Sequence, residues 1–202
     1  VERTDAQVVR DVLAGDRDAF VLLVRRYGDV LYGHALRMVA SQDDAADLVQ
    51  QTFLRCVQSR SRFRQDSSFR TYLFAVARNT LYDFLRKRRR SDERVDFGVT
   101  SIVDLDPTPS KAIVMRENHE LLVHALRRLP VDLQIVLELY YVEQLRGRAL
   151  GEILDLPEGT VRSRIRRGLE QLKVEMLRLE RSPERVEQTL SGLDEWAAKL
   201  RS

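Results

Sequence analysis

The chain has 202 residues, of which 44% are hydrophobic and 32% charged, and its formal net charge is +3. This length allows one domain or two small ones, and the hydrophobic content suffices for packed cores. The single cysteine, Cys56, excludes a disulfide framework and a cysteine zinc site, and its apolar neighbours predict a core position. No apolar run is long enough to cross a bilayer and no signal-peptide pattern is present, so we expect a soluble cytoplasmic protein.

Apolar residues recur at three- and four-residue steps through the first ninety residues, which indicates helices with one buried face. Three such faces are formed by Phe20, Val24, Tyr27, Leu31, Ala35 and Met38, by Ala45, Leu48, Val49, Thr52, Phe53, Cys56 and Val57, and by Leu73, Val76, Ala77, Thr80, Leu81 and Phe84. Ser67 or Ser68 can cap the third helix, because a side-chain oxygen there satisfies an orphan amide. No alternating strand pattern competes, so residues 1–90 are predicted to form a helical bundle.

The stretch from Phe63 to Arg90 interleaves aromatic with basic residues and ends in the basic run Arg86-Lys87-Arg88-Arg89-Arg90. Aromatic rings stack on unpaired bases and basic side chains neutralise phosphates, so the stretch is typical of a surface that holds single-stranded nucleic acid. Phe63, in a polar loop, is a candidate wedge for a flipped base, and the Asn79 amide is a candidate reader of a base edge. Taken alone, the basic run is explained equally well as a solvated helix end.

Residues 91–110 interrupt the helical pattern. They contain two prolines and a glycine and carry five acidic residues against one arginine. We therefore predict a flexible acidic linker, because the stretch has no amphipathic face and is longer than ordinary connections inside a compact domain.

Helical periodicity resumes near Lys111 and leads to a helix-turn-helix candidate. Its predicted first helix is Arg148–Leu154, its turn is Asp155-Leu156, and Pro157 is the first residue of its second helix. Gly151 falls where the two helices must cross closely. The candidates for contacting duplex DNA on the second helix are Thr160, Arg162, Ser163, Arg164, Arg166 and Arg167. The alternative is a solvated amphipathic helix, which the proline-preceded turn makes the weaker interpretation.

A tail follows the helix-turn-helix candidate. Ser182-Pro183-Glu184 is a helix-start pattern, and apolar residues then recur at helical spacing. Gly192 is expected to divide the tail into two short helices. We expect the tail to pack on the second domain, in preference to the first domain or a regulator.

No catalytic constellation is recognisable in the chain. It has no glycine-rich phosphate loop, no paired nucleophile and base, and no His spacing suited to a metal, so we expect no enzymatic activity, no cofactor and no metal. Two rival functions remain open at this point. A helix-turn-helix regulator acting without polymerase would leave residues 62–90 unexplained, and a nucleic-acid enzyme would need acid, base or metal groups that the sequence does not offer.

The ordered set of motifs resembles bacterial sigma factors of the sigma-70 family, in the extracytoplasmic-function (ECF) group. Residues 44–55 resemble region 2.2 of that family, residues 62–90 resemble regions 2.3 and 2.4, and residues 129–172 resemble region 4. The resemblance implies two small helical domains, region 2 at 1–90 and region 4 at 111–178, joined by the linker 91–110 and followed by a helical extension at 179–202.

The resemblance also implies roles and partners. The first domain would dock on the β′ clamp helices of core RNA polymerase through Asp47, Gln50, Gln51 and Phe53, and the β flap would be a second polymerase contact. Phe63 and Asn79 align with positions that hold a flipped base of the melted −10 element, and Arg78 with the run from Arg86 would hold its backbone. The second domain would read the −35 element as duplex through the residues named above. An anti-sigma factor is the implied regulator.

Overall fold

The structure, a computed structural model, describes residues 3–39, 41–58, 67–88, 95–105, 117–180 and 182–201. Within these ranges every regular element is a helix, which confirms the all-α fold class. In chain order the elements are α1 (Asp5–Leu13), α2 (Arg17–Met38), α3 (Gln42–Gln58), α4 (Phe69–Arg88), α5 (Ile102–Leu105), α6 (Glu117–Arg127), α7 (Val131–Leu137), a π-helix (Glu138–Val142), α8 (Gly147–Leu154), α9 (Glu158–Leu179), α10 (Pro183–Ser191) and α11 (Leu193–Arg201).

Helices α1 to α4 form the first domain. Helix α3 packs against both α2 and α4, and α1 packs on α2. Leu23, Phe74 and Cys56 are buried in the shared core, so the predicted core position of the cysteine is confirmed. The predicted cap of α4 is Ser68, whose hydroxyl oxygen accepts a hydrogen bond from the Thr71 amide at 3.1 Å. The helical bundle predicted for this part of the chain is therefore present.

An uncharged histidine lies inside this core. His34 on α2 is buried, and its ring meets the edge of Phe74 at a centroid distance of 5.5 Å. Its Nδ1 atom is buried and has no hydrogen-bond partner among the described residues. Burial, reinforced by the positive charge of Arg37, lowers the pKa of His34 from 6.5 to about 3. The imidazole is therefore neutral in the folded chain at neutral pH.

The His34 shift makes the stability of the chain depend on pH. Below pH 6.5 the unfolded chain protonates this histidine, whereas the folded chain does so only near pH 3, so the free energy of unfolding falls as the pH is lowered through this window. At about 1.36 kcal/mol per pH unit, lowering the pH from 6.5 to 5 costs roughly 2 kcal/mol. Urea unfolding at both pH values should show this loss in the unaltered chain and a smaller loss in His34→Leu. The exposed His124 supplies the control, because His124→Leu leaves the buried imidazole in place and should keep the full dependence.

Helices α6 to α9 and the π-helix form the second domain. Helix α9 is its central element, in contact with α6, α7 and α8. Leu122, Ile135 and Leu150 are fully buried in its core. Gly168 of α9 lies so close to α7 that an added Cβ atom would stand 3.1 Å from the Leu137 side chain, so the two helices approach closely because residue 168 lacks a side chain.

The tail packs on the second domain. Helix α10 contacts α9, and α11 lies on the π-helix, where Leu193 and Trp196 are buried. Gly192 separates the two tail helices as predicted, and Ser182 caps the first by accepting a hydrogen bond from the Arg185 amide at 3.3 Å. The tail therefore packs on the second domain, as the sequence analysis expects.

Residues 95–105 differ from the predicted flexible linker. The ring of Phe97 is buried and stacks on Tyr82 of α4 with centroids 4.4 Å apart. The Val131 amide donates to the Thr100 carbonyl at 2.9 Å, which ties this stretch to the start of α7. Ile102 is also buried. Phe97 thus contacts both domains, because its ring stacks on α4 and its carbonyl accepts a hydrogen bond from the Asp132 amide of α7 at 3.0 Å. The rest of the predicted linker, residues 91–94 and 106–110, lies outside the described residues.

The two domains are joined by a group of charges, which we call the ion-pair cluster: the buried Arg37, Glu138 and Glu143, and the half-buried Arg70. Arg37 of α2 donates to Glu138 at 2.5 Å and to Glu143 at 3.2 Å, and Arg70 of α4 donates to Glu143 at 3.0 Å. Burial raises the pKa of both glutamates above their ordinary value, and the Arg37 guanidinium counteracts that shift. The cluster contains two positive and two negative groups, so its charges balance.

The π-helix explains why both glutamates reach one arginine. In an α-helix, side chains five residues apart point about 140° away from each other. In the π-helix the hydrogen bond spans five residues, and the Glu143 amide donates to the Glu138 carbonyl at 3.1 Å. Residues 138 and 143 therefore lie one turn apart on the same side of the helix, where both meet Arg37.

Candidate nucleic-acid and polymerase interfaces

The basic end of α4 is exposed. Arg86, Lys87 and Arg88 lie in its last turn, where cations also favour the negative end of the helix dipole. Two of these side chains have neighbours of their own. The Arg86 guanidinium lies 5.1 Å from the centre of the Phe97 ring, and Arg88 pairs with Asp44 at 2.9 Å. The predicted basic run continues to Arg90, but its last two residues, Arg89 and Arg90, lie outside the described part of the chain.

The candidate base-reading side chains lie one to two turns earlier on α4. Asn79 is exposed, and its Oδ1 atom accepts a hydrogen bond from Arg78 at 3.3 Å. The Arg78 guanidinium lies 5.6 Å from the centre of the Tyr82 ring, which holds it along the helix. The bond to Arg78 leaves the Asn79 amino group as a donor for an incoming base. Phe63, the predicted wedge, lies outside the described residues.

The helix-turn-helix forms as predicted, with two adjustments. Helix α8 ends at Leu154 and is followed by Asp155, whose backbone is left-handed at φ 56° and ψ 50°, a conformation that aspartate tolerates better than most residues. Gly151 is needed here because an added Cβ would stand 2.9 Å from the Leu156 carbonyl oxygen. The close approach is thus to the turn and not to the second helix. Pro157 is the residue before α9 and not its first residue, since the helix begins at Glu158.

One face of α9 is exposed and basic. The helix packs into the domain through its other side, where Val161 and Gly168 are buried. The opposite side, which we call the basic face, carries exposed residues only: Thr160, Arg162, Ser163, Arg166 and Arg167. Arg164 is the exception among the predicted DNA contacts, because it is half-buried and pairs with Asp132 of α7 at 3.1 Å.

An apolar groove of about 910 Å³ opens on the first domain between α1, α2 and α3. Val21 and Leu54 stand at this groove with 46% and 55% of their surfaces exposed, although they are large apolar residues. Such exposure on a folded surface is typical of a protein interaction site. Gln50, one of the predicted polymerase contacts, also lines the groove.

The other predicted polymerase contacts differ in their exposure. Asp47 is exposed and accepts a hydrogen bond from the half-buried Gln51 at 2.6 Å, which fixes both side chains along α3. Phe53 differs from Asp47, Gln50 and Gln51 because it is buried. Its ring is only 5% exposed and meets the edge of Phe20 at 6.1 Å, so it belongs to the core and forms part of the groove wall. It faces inward because it continues the apolar face of α3.

No group of three or more His, Cys, Asp or Glu side chains among the described residues is arranged to hold a metal ion. Among the same residues, none of the helices combines the length and the apolar character needed to cross a bilayer.

Comparison with known proteins identifies the family. The family model for Sigma-70 region 2 matches residues 23–91, and the one for Sigma-70, region 4 matches residues 119–172. The ECF RNA polymerase sigma-E factor of Haemophilus influenzae is 35% identical over 180 residues, which cover 84% of this chain and 94% of that protein. The chain belongs to the sigma-70 family of RNA polymerase sigma factors, in the ECF group.

Further relatives agree with this assignment. The ECF sigma factor SigW of Bacillus subtilis is 31% identical to this sigma factor over 177 residues, or 83% of this chain and 94% of SigW. The sigma-H factor of Pseudomonas aeruginosa is 35% identical over 179 residues, or 84% and 92% of the two chains. The sigma factor therefore belongs to a family that serves transcription initiation with RNA polymerase.

Two solved structures share the fold of this sigma factor. CnrH in complex with the cytosolic domain of CnrY matches with a TM-score of 0.62 at 23% identity, over 84% of this chain and 95% of that chain. The sigma factor RpoE of Bartonella quintana, in complex with the anti-sigma factor NepR, matches with a TM-score of 0.59 at 23% identity, over 80% of this chain and 98% of that chain. Both likenesses support the two-domain helical architecture.

Sequence analysis of this sigma factor missed the ion-pair cluster. Glu138 sits in an otherwise apolar helical run, and Glu143 follows that run directly, which is the one local signal that the sequence gives of them. Charged residues at such positions are rarely buried without partners. Their partner Arg37 lies about a hundred residues earlier, so no local pattern connects the three.

Proposed function

We propose that this sigma factor brings core RNA polymerase to promoters, reads the −35 element as duplex DNA with α9, and holds the melted −10 element as a single strand with the module around α4. The observation that carries the proposal is the basic face of α9. This face is exposed and lies opposite the side of α9 that packs into the domain. It follows the turn of the helix-turn-helix, in which Asp155 has a left-handed backbone. A second helix so placed is the element that enters the major groove.

Duplex reading follows from the chemistry of the basic face. An arginine can bond two acceptors of a guanine in the major groove, or bind phosphate oxygens. Arg162 and Arg166 lie one turn apart on α9, as do Ser163 and Arg167. The face therefore offers arginines over two helical turns, which matches the few base pairs that one recognition helix reads.

Reading of the melted strand is supported by the exposed end of α4. Its cations lie beyond the Asn79 amide along one helix, so a strand whose phosphates follow Arg86 to Arg88 brings a base toward Asn79. Phe63 is proposed as the wall of the base pocket on the strength of the family resemblance alone. Stacking on an aromatic ring contributes about 1–3 kcal/mol per base.

The apolar groove is the proposed docking surface for the β′ clamp helices. Asp47, Gln50 and Gln51 supply polar groups on the same helix as the exposed Leu54, which suits a partner with an apolar ridge and polar flanks. The second domain would contact the β flap. Since core RNA polymerase works in the cytoplasm, we place the sigma factor there, without catalytic activity of its own.

An anti-sigma factor is the proposed regulator. The Bartonella quintana sigma factor of the same fold was solved bound to its anti-sigma factor. An anti-sigma factor that covered the apolar groove of this chain would compete directly with the proposed polymerase contact.

Promoter-dependent run-off transcription tests the proposal. The purified chain is added to bacterial core RNA polymerase together with a pool of genomic fragments. We expect specific transcripts that depend on the chain, and alignment of their upstream sequences should reveal two elements. No chain-dependent transcripts, and no co-migration with core enzyme, would reject the proposal in favour of a regulator that acts without polymerase.

Asn79→Ala tests the strand-reading step on a promoter obtained in this way. We expect polymerase binding to stay within twofold of the unaltered chain and promoter opening to fall roughly tenfold, because a base acceptor left without its donor costs about 1–3 kcal/mol. Permanganate reactivity of thymines in the −10 element measures the opening. Gln58→Ala, which removes another exposed amide from the same domain, is the control and should open the promoter normally. Equal opening by both variants would show that Asn79 does not read the base.

A further inference from the structure

The ring of Tyr82 on α4 has a second aromatic ring lying flat on it. Phe97 is nearly parallel to Tyr82, with an angle of 11° between the ring planes and 4.4 Å between the centroids. His34 and Phe74, in contrast, meet edge to face, which is a common arrangement inside a core. A flat stack is the arrangement in which an unpaired base lies on an aromatic side chain. The face of Tyr82 therefore already holds a flat, apolar ring in the way it would hold a base.

Two arginines lie beside this stack. The Arg78 guanidinium is 5.6 Å from the centre of the Tyr82 ring, and the Arg86 guanidinium is 5.9 Å from that centre and 5.1 Å from the centre of the Phe97 ring. Arg86 also pairs with Asp83 at 3.3 Å, but the two side chains are 54% and 43% exposed, so water weakens this pair. Both positive groups are thus placed next to the position that a stacked base would take.

The Arg78 guanidinium has a donor that the fold does not use. Its Nε atom is buried and has no hydrogen-bond partner among the described residues. Its Nη2 atom donates to the Asn79 side chain at 3.3 Å. A charged donor enclosed without an acceptor costs free energy, and stacking of two apolar rings does not offset that cost. A phosphate oxygen is a suitable acceptor, because arginine commonly binds phosphate through two N–H groups.

The Tyr82 ring follows the candidate base reader along α4. At 1.5 Å per residue, residues 79 and 82 lie about 4.5 Å apart along the helix axis. This is close to the roughly 3.4 Å per nucleotide of one DNA strand. Residues 79, 82 and 86 are separated by three and four positions, so they share one side of the helix. The order along this side is an amide, an aromatic ring and a cation, which suits two successive nucleotides of a strand.

We propose that Tyr82 is a stacking platform for a second base of the melted −10 strand, and that Phe97 occupies the place of that base in this structure. The proposal rests on the proposed function, since it takes the melted strand as the ligand. Arg78 and Arg86 bind the phosphates next to the stacked base. The platform accepts any base, because every base has a π face. Sequence information comes from Asn79 and not from this position.

The hydroxyl group of Tyr82 has a separate partner. It donates to Asp132 of α7 at 2.6 Å, whereas stacking uses only the face of the ring. Two substitutions separate these roles, because Tyr82→Phe keeps the ring and removes the hydroxyl group, and Tyr82→Leu removes both. A merely structural role of the hydroxyl group is therefore distinguishable from stacking.

Binding of a single strand by the full-length chain tests the proposal. The probes are a fluorescein-labelled DNA strand of mixed sequence and a strand of equal length that carries no bases. Phe97→Ala vacates one face of the platform and should bind the strand with bases roughly tenfold more tightly than the unaltered chain. That gain equals about 1.4 kcal/mol, which is of the size expected for one stacked base. The abasic strand offers only phosphates and should show no gain.

Double variants show whether the gain depends on the ring. Phe97→Ala combined with Tyr82→Leu should lose the gain, whereas Phe97→Ala combined with Tyr82→Phe should keep it. The matched control combines Phe97→Ala with Tyr140→Leu and should also keep it, because Tyr140 lies on the π-helix under the Arg146 guanidinium at 3.5 Å and is not proposed to meet the strand. A gain that survives Tyr82→Leu, an equal gain for the abasic strand, or no gain in Phe97→Ala would overturn the proposal.

A photochemical measurement covers the case in which Phe97→Ala loses its helical content by circular dichroism. A strand carrying 5-iodo-2′-deoxyuridine is irradiated with the unaltered chain, both free and bound to core polymerase, and mass spectrometry locates the residue that becomes joined to it. We expect Tyr82, and the absence of this crosslink in both samples would reject the platform. The sigma role is judged separately, because a lack of chain-dependent transcription would reject that role while base-dependent binding at Tyr82 would still establish a stacking site.

Discussion

Replacing Leu54 with glutamate is expected to abolish binding to core RNA polymerase. Leu54 is 55% exposed at the apolar groove, beside the polar residues proposed to contact the β′ clamp helices. A carboxylate there would be buried without a partner when the clamp helices dock, at a cost of several kcal/mol. We expect at least a hundredfold loss of affinity, equivalent to about 3 kcal/mol, measured by titrating labelled sigma factor with core enzyme.

Val30→Glu is the matched control for this prediction. Val30 is an apolar residue of α2 that is 41% exposed and does not line the groove. The same substitution at this position should leave polymerase affinity within about twofold of the unaltered chain. Both variants should keep their helical content, since both positions are on the surface. If Leu54→Glu bound core enzyme as well as Val30→Glu did, the groove would not be the polymerase surface.

The second large effect is expected from the double substitution of Arg166 and Arg167 by alanine. Both side chains lie on the basic face of α9 and are exposed, Arg166 by 80%. Each lost contact to a base or phosphate costs about 1–3 kcal/mol, so transcription from a promoter that requires its −35 element should fall roughly a hundredfold. If both arginines hold the backbone, the slope of log duplex affinity against log salt concentration should also become shallower, by the amount expected for about two lost phosphate contacts.

Arg178→Ala serves as the control for charge on the same helix. Arg178 lies near the C-terminal end of α9 and is 68% exposed, well beyond the turns proposed to enter the groove. Its removal lowers the net charge but should leave duplex affinity and transcription unchanged. Comparable losses from Arg178→Ala would mean that α9 contributes only general positive charge and does not read the −35 element through the basic face.

Local chemistry made much of the fold predictable. The helical faces of the first domain follow from three- and four-residue spacing. The turn at Asp155 and the division of the tail at Gly192 follow from the backbone preferences of single residues. Ser68 and Ser182 cap helices as their side chains predict. The exposed arginines of α9 were also predictable, because Val161, Ile165 and Leu169 recur at helical spacing and indicate which side of the helix is apolar.

Features that depend on distant partners were not predictable. Phe97 lies in a polar stretch without periodicity, and only the position of Tyr82 in the folded chain makes it a buried residue. Glu138 and Glu143 share a side only because the backbone between them is a π-helix, and α- and π-helices make similar demands on residue type.

Trp196 is the only tryptophan of the chain, and it is buried where α11 lies on the π-helix. Indole emission shifts to longer wavelength when the ring passes from an apolar enclosure into water. The chain therefore carries an intrinsic optical reporter of tail docking that needs no label. Helix α11 packs on the π-helix, which begins at Glu138 and is followed directly by Glu143, so Trp196 lies close to the contact between the two domains. Its fluorescence emission can therefore be recorded in real time as polymerase is added.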